Sequence, residues 1–296
     1  MPSPQHEAIV AALVAQVAKP PATPPSLEET RAGFVAMTAG FVVPSDVRVE
    51  RANAGGVPAA WISAPAARDD AALLYLHGGG YMLGSIQTHT ELCSRIARAT
   101  GLRALAIDYR LAPEHPYPAA VEDAVAGYRW LRSQGLDGSR IAIAGDSAGG
   151  GLTLATLVAV RERGEELPAC AVCLSPLTDL TGAGPDEAND DPLLTRESVQ
   201  MMADTYLQGA DAKRPTASPV HADFSGFPPL LLQVGTRERL LPDSLRVAER
   251  ARAAGVDVTL EKGHGLIHVW QLFGPEVPES RDALANIGIF VRKHLA

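Results

Sequence analysis

Three cysteines in 296 residues are too few for a disulfide framework. Their odd number and wide scatter suit a reducing cytoplasm, which is the expected location. Cys170 and Cys173 have the CxxC spacing of a metal or redox site, but no second CxxC exists to complete a zinc centre. They fall in the apolar run from Ala169 to Leu174, which reads as a buried strand. Residues three apart on a strand face opposite ways, so the two sulfurs are expected to diverge into the core rather than bind a metal. Basic charge is also short: 26 Lys and Arg against 34 Asp and Glu leave a formal charge of −8. That balance argues against nucleic acid or an anionic membrane surface as partner. A long apolar run is missing too. The stretch from Ala8 to Ala18 has no Lys or Arg before it and is far too short to span a bilayer. Ile9, Val10, Leu13, Val14 and Val17 recur with helical period, so it reads as an amphipathic helix; neither leader nor membrane anchor is expected. Internal repeats and low-complexity tails are lacking as well.

What is present is ordinary globular composition, 46% apolar and 20% charged, at a length that suits one large α/β domain or two small ones. Residues 1–45 read as a helical appendage too small to fold alone. Its two helices are separated by the stiff run Pro20-Pro21-Ala22-Thr23-Pro24-Pro25, and Ser26 with Glu29 forms a capping-box start for the second. Strand and helix patterns then alternate. A hairpin pairs Val47 to Ala52 with Val57 to Ser63. Strands follow at Ala72 to Leu76, Arg103 to Ile107, Ile141, Ala171 to Leu174, Leu230 to Val234 and Val256 to Leu260. Helices are expected from a capping box at Thr88-His89-Thr90-Glu91 to Thr100, over Pro118 to Ser133, after Gly149, over Asp243 to Ala254 and over Glu279 to His294. The segment from Leu180 to Gly209 breaks this rhythm with polar and glycine-rich residues and a helix around Glu197 to Tyr206. Short apolar strands alternating with helices imply a mainly parallel sheet covered on both faces.

Gly145-Asp146-Ser147-Ala148-Gly149 sits where a strand pattern gives way to a helix pattern, the arrangement of a nucleophile elbow. The turn leaves no room for flanking side chains, and it lifts the serine hydroxyl above the sheet at the positive end of a helix. The bland alternative is a tight turn whose serine caps the helix. His77-Gly78-Gly79-Gly80 follows another strand. Three glycines carry an entropic cost, and one reason for them is the close approach of backbone N–H groups to a developing negative charge. Gly79, Gly80 and Ala148 are the candidate oxyanion donors. A phosphate cradle is disfavoured, because no Gly-Lys-Ser/Thr follows. His77 is expected to brace this loop.

A serine nucleophile needs a base and an orienting acid. Of eight histidines, His268 is the best-placed base, lying beyond the last strand among apolar residues; His264 is its rival. Glu238 follows the end of the strand from Leu230 to Val234, where parallel sheets carry their chemistry. Asp243 competes, but it begins a helix and has the look of a cap. The chain order Ser147, Glu238, His268 is that of an α/β-hydrolase.

The chain resembles the bacterial hormone-sensitive-lipase-like esterases, a branch of the α/β-hydrolase fold. The resemblance spans nearly the whole chain. It rests on His77-Gly78-Gly79-Gly80-Tyr81, Asp108-Tyr109-Arg110-Leu111-Ala112-Pro113-Glu114, Gly145-Asp146-Ser147-Ala148-Gly149, Ser175-Pro176 with Asp179, and Ile267-His268-Val269-Trp270. It implies an eight-stranded, mainly parallel sheet flanked by helices, with core segments at 46–179 and 213–296. It also implies a helical cap built from 1–45 and an insertion at 180–212. The acid position departs from the commonest pattern: Glu238-Arg239-Leu240 stands where aspartate followed by proline is usual. Asp108 and Arg110 match a segment that looks structural and are read as a support pair.

The implied reaction is hydrolysis of a small-molecule ester through an acyl-enzyme, with no cofactor and no metal. Phe34, Met37, Tyr81, Met201, Met202, Tyr206 and Trp270 are the candidate pocket walls, and a small cap suggests short to medium acyl chains. An amidase or lactonase would use the same triad. A receptor on a dead scaffold, as in the gibberellin receptors, would have lost the histidine that is present here. The last strand is a candidate sheet edge for pairing two copies into a homodimer.

Overall fold

The computed structural model describes residues 1–17, 24–183 and 190–295. The first four residues of the proline-rich break, Pro20 to Thr23, lie outside the described residues, as does part of the insertion, 184–189. Eight strands form one sheet in the order β1 (Arg48–Ala54), β2 (Val57–Ser63), β4 (Leu102–Ile107), β3 (Arg68–Leu76), β5 (Ile141–Asp146), β6 (Cys170–Leu174), β7 (Leu230–Gly235) and β8 (Val258–Gly263). From β4 onward every neighbouring pair is parallel; β1 and β2 run antiparallel at one edge. Among the described residues β8 closes the other edge and pairs with β7 alone.

The period-two alternation of these strands divides the core. Leu74, Leu76, Ile143 and Leu232 face α4 (Ala119–Ser133), α5 (Ala148–Glu162) and α7 (Leu241–Ala253), where they meet Leu131, Leu157 and Val247. Leu73, Tyr75, Ala142 and Val172 face α3 (Ile86–Thr100) and α8 (Pro278–His294), meeting Ile96, Leu284 and Ile287. Cys173 lies in the first of these clusters and Cys170 in the second, both buried. The sulfurs therefore diverge as strand geometry requires. Burial pushes the Cys170 thiol up to about 12.

Two N-terminal helices lean on the ends of the sheet. α1 (Pro4–Val17) places Val10 in a third apolar cluster with Leu266, Ile267, Trp270 and Phe273, and its other side, at Val14, is exposed. α2 (Leu27–Thr38) starts at Ser26, whose hydroxyl accepts from the Glu29 N–H while the Glu29 carboxylate accepts from the Ser26 N–H, the expected capping box. α6 (Arg196–Leu207) is the helix of the insertion.

Several boundaries differ from the sequence reading; β3, for one, begins at Arg68 rather than Ala72. The N-cap of α3 lies three residues before Thr88: Ser85 caps the helix, and Thr88 completes that box from the third position. Glu91 instead pairs with Arg95 one turn on. β8 starts at Val258 rather than Val256, because the turn at Gly255 ties the Val256 N–H back to the Ala251 carbonyl of α7. Among the described residues no helix is long and apolar enough to cross a membrane.

Candidate active site

β5 ends at Asp146 and α5 starts at Ala148, so Ser147 alone makes the turn, at φ 52° and ψ −119°. A Cβ on Gly149 would lie 2.0 Å from the Leu76 carbonyl oxygen, so the elbow can press against the neighbouring strand only with glycine there. The Ser147 backbone is pinned from both sides by the segment after β6: its N–H donates to Leu174 O and its carbonyl accepts from Leu177 N, at 2.8 and 2.9 Å.

The Ser147 hydroxyl oxygen lies 3.0 Å from Nε2 of His268, and Nδ1 of His268 lies 3.0 Å from Oε2 of Glu238. A carboxylate only accepts, so Nδ1 carries the proton and Nε2 is free to accept from the serine. His268 and Glu238 are both buried, while Ser147 is half-buried. Burial opposes the imidazolium, but the hydrogen bond and charge of Glu238, with help from Asp191 and Asp146, outweigh it and hold His268 above its ordinary 6.5. The rivals stand elsewhere. His264 is exposed, and Asp243 caps the chain after β6, accepting from the N–H groups of Thr178 and Asp179 at 2.6 and 2.9 Å. Burial raises the Asp243 carboxyl to about 6.

The glycine loop after β3 is anchored from below. Oδ1 of the buried Asp146 accepts from the Gly78 N–H at 2.9 Å and from the Tyr75 hydroxyl at 2.7 Å, and Nε2 of His89 stands 3.4 Å from Oδ2. His77 stacks on Tyr109 at 4.2 Å between centroids and is pushed down to about 3 by burial and by His89 beside it. It stays neutral and braces the loop. Gly80 has φ 62°, and a Cβ there would meet Sδ of Met202 on α6 at 2.5 Å. Ala148 opens α5, where a backbone N–H has no intrahelical partner.

A family described as alpha/beta hydrolase fold matches residues 73–272. An acetyl-hydrolase of Streptomyces hygroscopicus is 45% identical over 254 residues, which cover 85% of this chain and 83% of that one. Carboxylesterase NlhH of Mycobacterium tuberculosis is 34% identical, covering 80% of each chain. The crystal structure of an esterase from the bacterial hormone-sensitive lipase family superposes with a TM-score of 0.95 at 47% identity, over 100% of both chains.

The chain belongs to the α/β-hydrolase family, in its hormone-sensitive-lipase-like carboxylesterase branch. It is a carboxylic ester hydrolase.

The residues expected to wall this esterase's pocket divide into three groups. Met202 lies against the glycine loop, and Phe34 of α2 stands 6.1 Å from the His89 ring. Tyr81 and Tyr206 are buried in a parallel stack, centroids 3.8 Å apart, that ties the glycine loop to α6; Met37 and Met201 are about half exposed. Trp270 corrects the expectation. It packs among Val10, Ile267 and Phe273 behind the histidine loop, and its indole N–H donates to Glu279 O. The apolar residues around His268 in the sequence were the signal for this packing. Asp108 and Arg110 do not pair with each other: Asp108 accepts from the Ile86 N–H at the start of α3, and Arg110 forks onto Asp123 of α4. Two contributors escaped the sequence reading. Asp146 stands inside the quoted elbow motif, and Ser175 stands beside Pro176; only the folded chain shows what each one holds.

Proposed function

We propose that this esterase hydrolyses short- to medium-chain acyl esters through an acyl-enzyme on a Ser147–His268–Glu238 triad. The observation that carries the reading is the continuous pair of 3.0 Å contacts from the Ser147 hydroxyl through both ring nitrogens of His268 to Glu238. In this reading neutral His268 takes the proton as Ser147 attacks the ester carbonyl. Glu238 holds the tautomer and stabilises the imidazolium that forms. The N–H groups of Gly79, Gly80 and Ala148 receive the oxyanion; one such donor is worth about 3–4 kcal/mol in the transition state. His268 then protonates the departing alcohol, and water, activated the same way, releases the acid. Glu238 fills the acid position with both carboxylate oxygens engaged, Oε1 accepting from the Gly235 N–H at 2.5 Å and Oε2 facing the imidazole.

The preference for shorter chains is supported by Met202 against Gly80 and by the acetyl-hydrolase among the relatives. Substitution Ser147→Ala should lower kcat on a chromogenic acetate or butyrate ester by roughly 10⁴-fold or more without loss of fold. Turnover within tenfold of the parent would end the triad reading. A substrate series with its kcat/KM maximum among long acyl chains would end the chain-length reading while leaving the triad intact.

A further inference from the structure

Ser175 is fully buried immediately after β6 and holds φ +46°, a region that a serine rarely adopts. Its N–H donates to Gln233 O at 2.7 Å. Its hydroxyl donates to Oε1 of Glu238 at 2.7 Å and accepts from the Val269 N–H at 3.1 Å. Val269 follows His268 directly and is itself left-handed, at φ 50°, a costly conformation for a β-branched residue. The same short segment pins the Ser147 backbone through Leu174 and Leu177. One stretch of four residues therefore bonds Ser147, Glu238 and the residue that follows His268.

We propose that Ser175 is a positioning residue for ester hydrolysis: its hydroxyl ties the Glu238 carboxylate to the main chain of the histidine loop, so that acid and base keep one geometry against Ser147. The proposal rests on the triad reading above. The hydroxyl uses both of its capacities here, one proton given and one accepted, between the loop after β7 and the loop after β8. Without it, Oε1 keeps only the Gly235 N–H, and the Val269 N–H is left buried with no acceptor. The carboxylate is then free to turn, and its contact with Nδ1 loosens.

The test is a pair of substitutions, Ser175→Gly and Ser175→Ala. Glycine accepts φ +46° without strain, so it removes the hydroxyl while easing the backbone. Alanine removes the hydroxyl and keeps the strain, and is the variant at risk of misfolding. For Ser175→Gly on p-nitrophenyl butyrate, kcat should fall roughly 10- to 100-fold while KM changes less than about threefold. The acidic limb of the kcat profile should move down towards about 6.5, because a loosened Glu238 supports the imidazolium less. Glu238, Asp191 and Asp146 are the acids that act on His268, and Ser175 touches only the first. A glycine variant with the parent's kcat and limb would overturn the proposal and leave Ser175 a backbone element. A limb that moves up with reduced kcat would overturn it too, since the hydroxyl would then be damping the charge of Glu238 rather than placing it. Ser147→Ala separates the two readings: an inactive Ser147→Ala with a normal Ser175→Gly sinks only this inference.

Discussion

The two sides of Ser147 are held in different ways. On the glycine-loop side the supports are polar. Asp146 takes Gly78 and Tyr75, Tyr109 donates to the His77 carbonyl, and Arg31 of α2 donates to Met82 O and Ala112 O while forking onto Glu114. On the histidine side the backing is mainly apolar: Val10 of α1 closes a cluster of Leu266, Ile267, Trp270 and Phe273 behind the loop, and Ser175 adds a polar link from Glu238 to the Val269 N–H. The contrast suits the two tasks. Hydrogen bonds are directional, so a carboxylate and a guanidinium can fix where backbone N–H groups point. Apolar packing sets a distance without fixing an angle, which suits an imidazole that must serve first the serine and then the leaving group. Two N-terminal helices of similar length thus do opposite jobs, one by charge and one by contact area.

The hardest test of the polar side is Asp146→Ala. Asp146 is completely buried; burial alone would raise its carboxyl, yet His89 and the Tyr75 hydroxyl bring it below the ordinary carboxylate value. Removing it leaves the Tyr75 hydroxyl, the Gly78 N–H and His89 without their shared partner. Loss of one member of such a buried group costs about 3–5 kcal/mol of stability. A displaced oxyanion donor costs roughly 10²–10³ in kcat. Urea unfolding and steady-state kinetics on the folded variant measure the two separately. A destabilised variant with the parent's kcat would mean that the glycine loop keeps its shape without this anchor, and the contrast between the two sides would fail.

pH distinguishes the sides more gently. Imidazolium cannot accept the serine proton, so activity rises as His268 deprotonates. Because Glu238 holds His268 above 6.5, the limb in kcat/KM should be centred above that value, with activity falling about tenfold per unit below it. His77, pushed down to about 3 by burial and His89, stays neutral across the neutral range and should add no limb. A second ionisation between pH 5 and 8 that persists in Glu238→Gln and in Asp243→Asn, whose carboxyl is itself raised to about 6, would point to a titrating group on the glycine-loop side and blur the division.

How far the sequence reached follows the same line. Periodicity placed all eight strands, because Ile141 to Ala144 or Leu230 to Val234 must be buried whatever surrounds them. The elbow, the glycine loop, Glu238 and His268 were legible because each follows the end of a strand, where spacing in the chain still maps onto spacing in the fold. What stayed hidden depended on contacts between residues distant in the chain. Ser85 and Thr88 compete for one helix start, and the choice goes to the residue whose neighbour Ile86 meets Asp108, twenty-two positions away. Trp270 reads as a pocket wall beside His268 until α1 covers it. Asp146 and Ser175 act through partners 63 to 94 residues away, and no local pattern signals such a bond.

The mildest test falls on the apolar side. Val10 is 5% exposed in α1 and touches the cluster that backs the histidine loop. Val10→Ala removes two methyl groups from that contact and should cost roughly 1–3 kcal/mol, less if α1 settles into the gap. Because the lost contact carries no direction, kcat at low temperature should stay within about twofold of the parent. The effect should instead appear as earlier thermal inactivation, read as a shorter half-life of esterase activity on warming. Val10→Thr keeps nearly the same shape but buries a hydroxyl, and should be at least as destabilising as alanine, since α1 offers the hydroxyl its own carbonyls but the cluster offers no polar partner. A large drop in kcat for Val10→Ala at constant fold would mean that the helix sets the angle of His268 as well as its depth, and that the histidine side is as directional as the other.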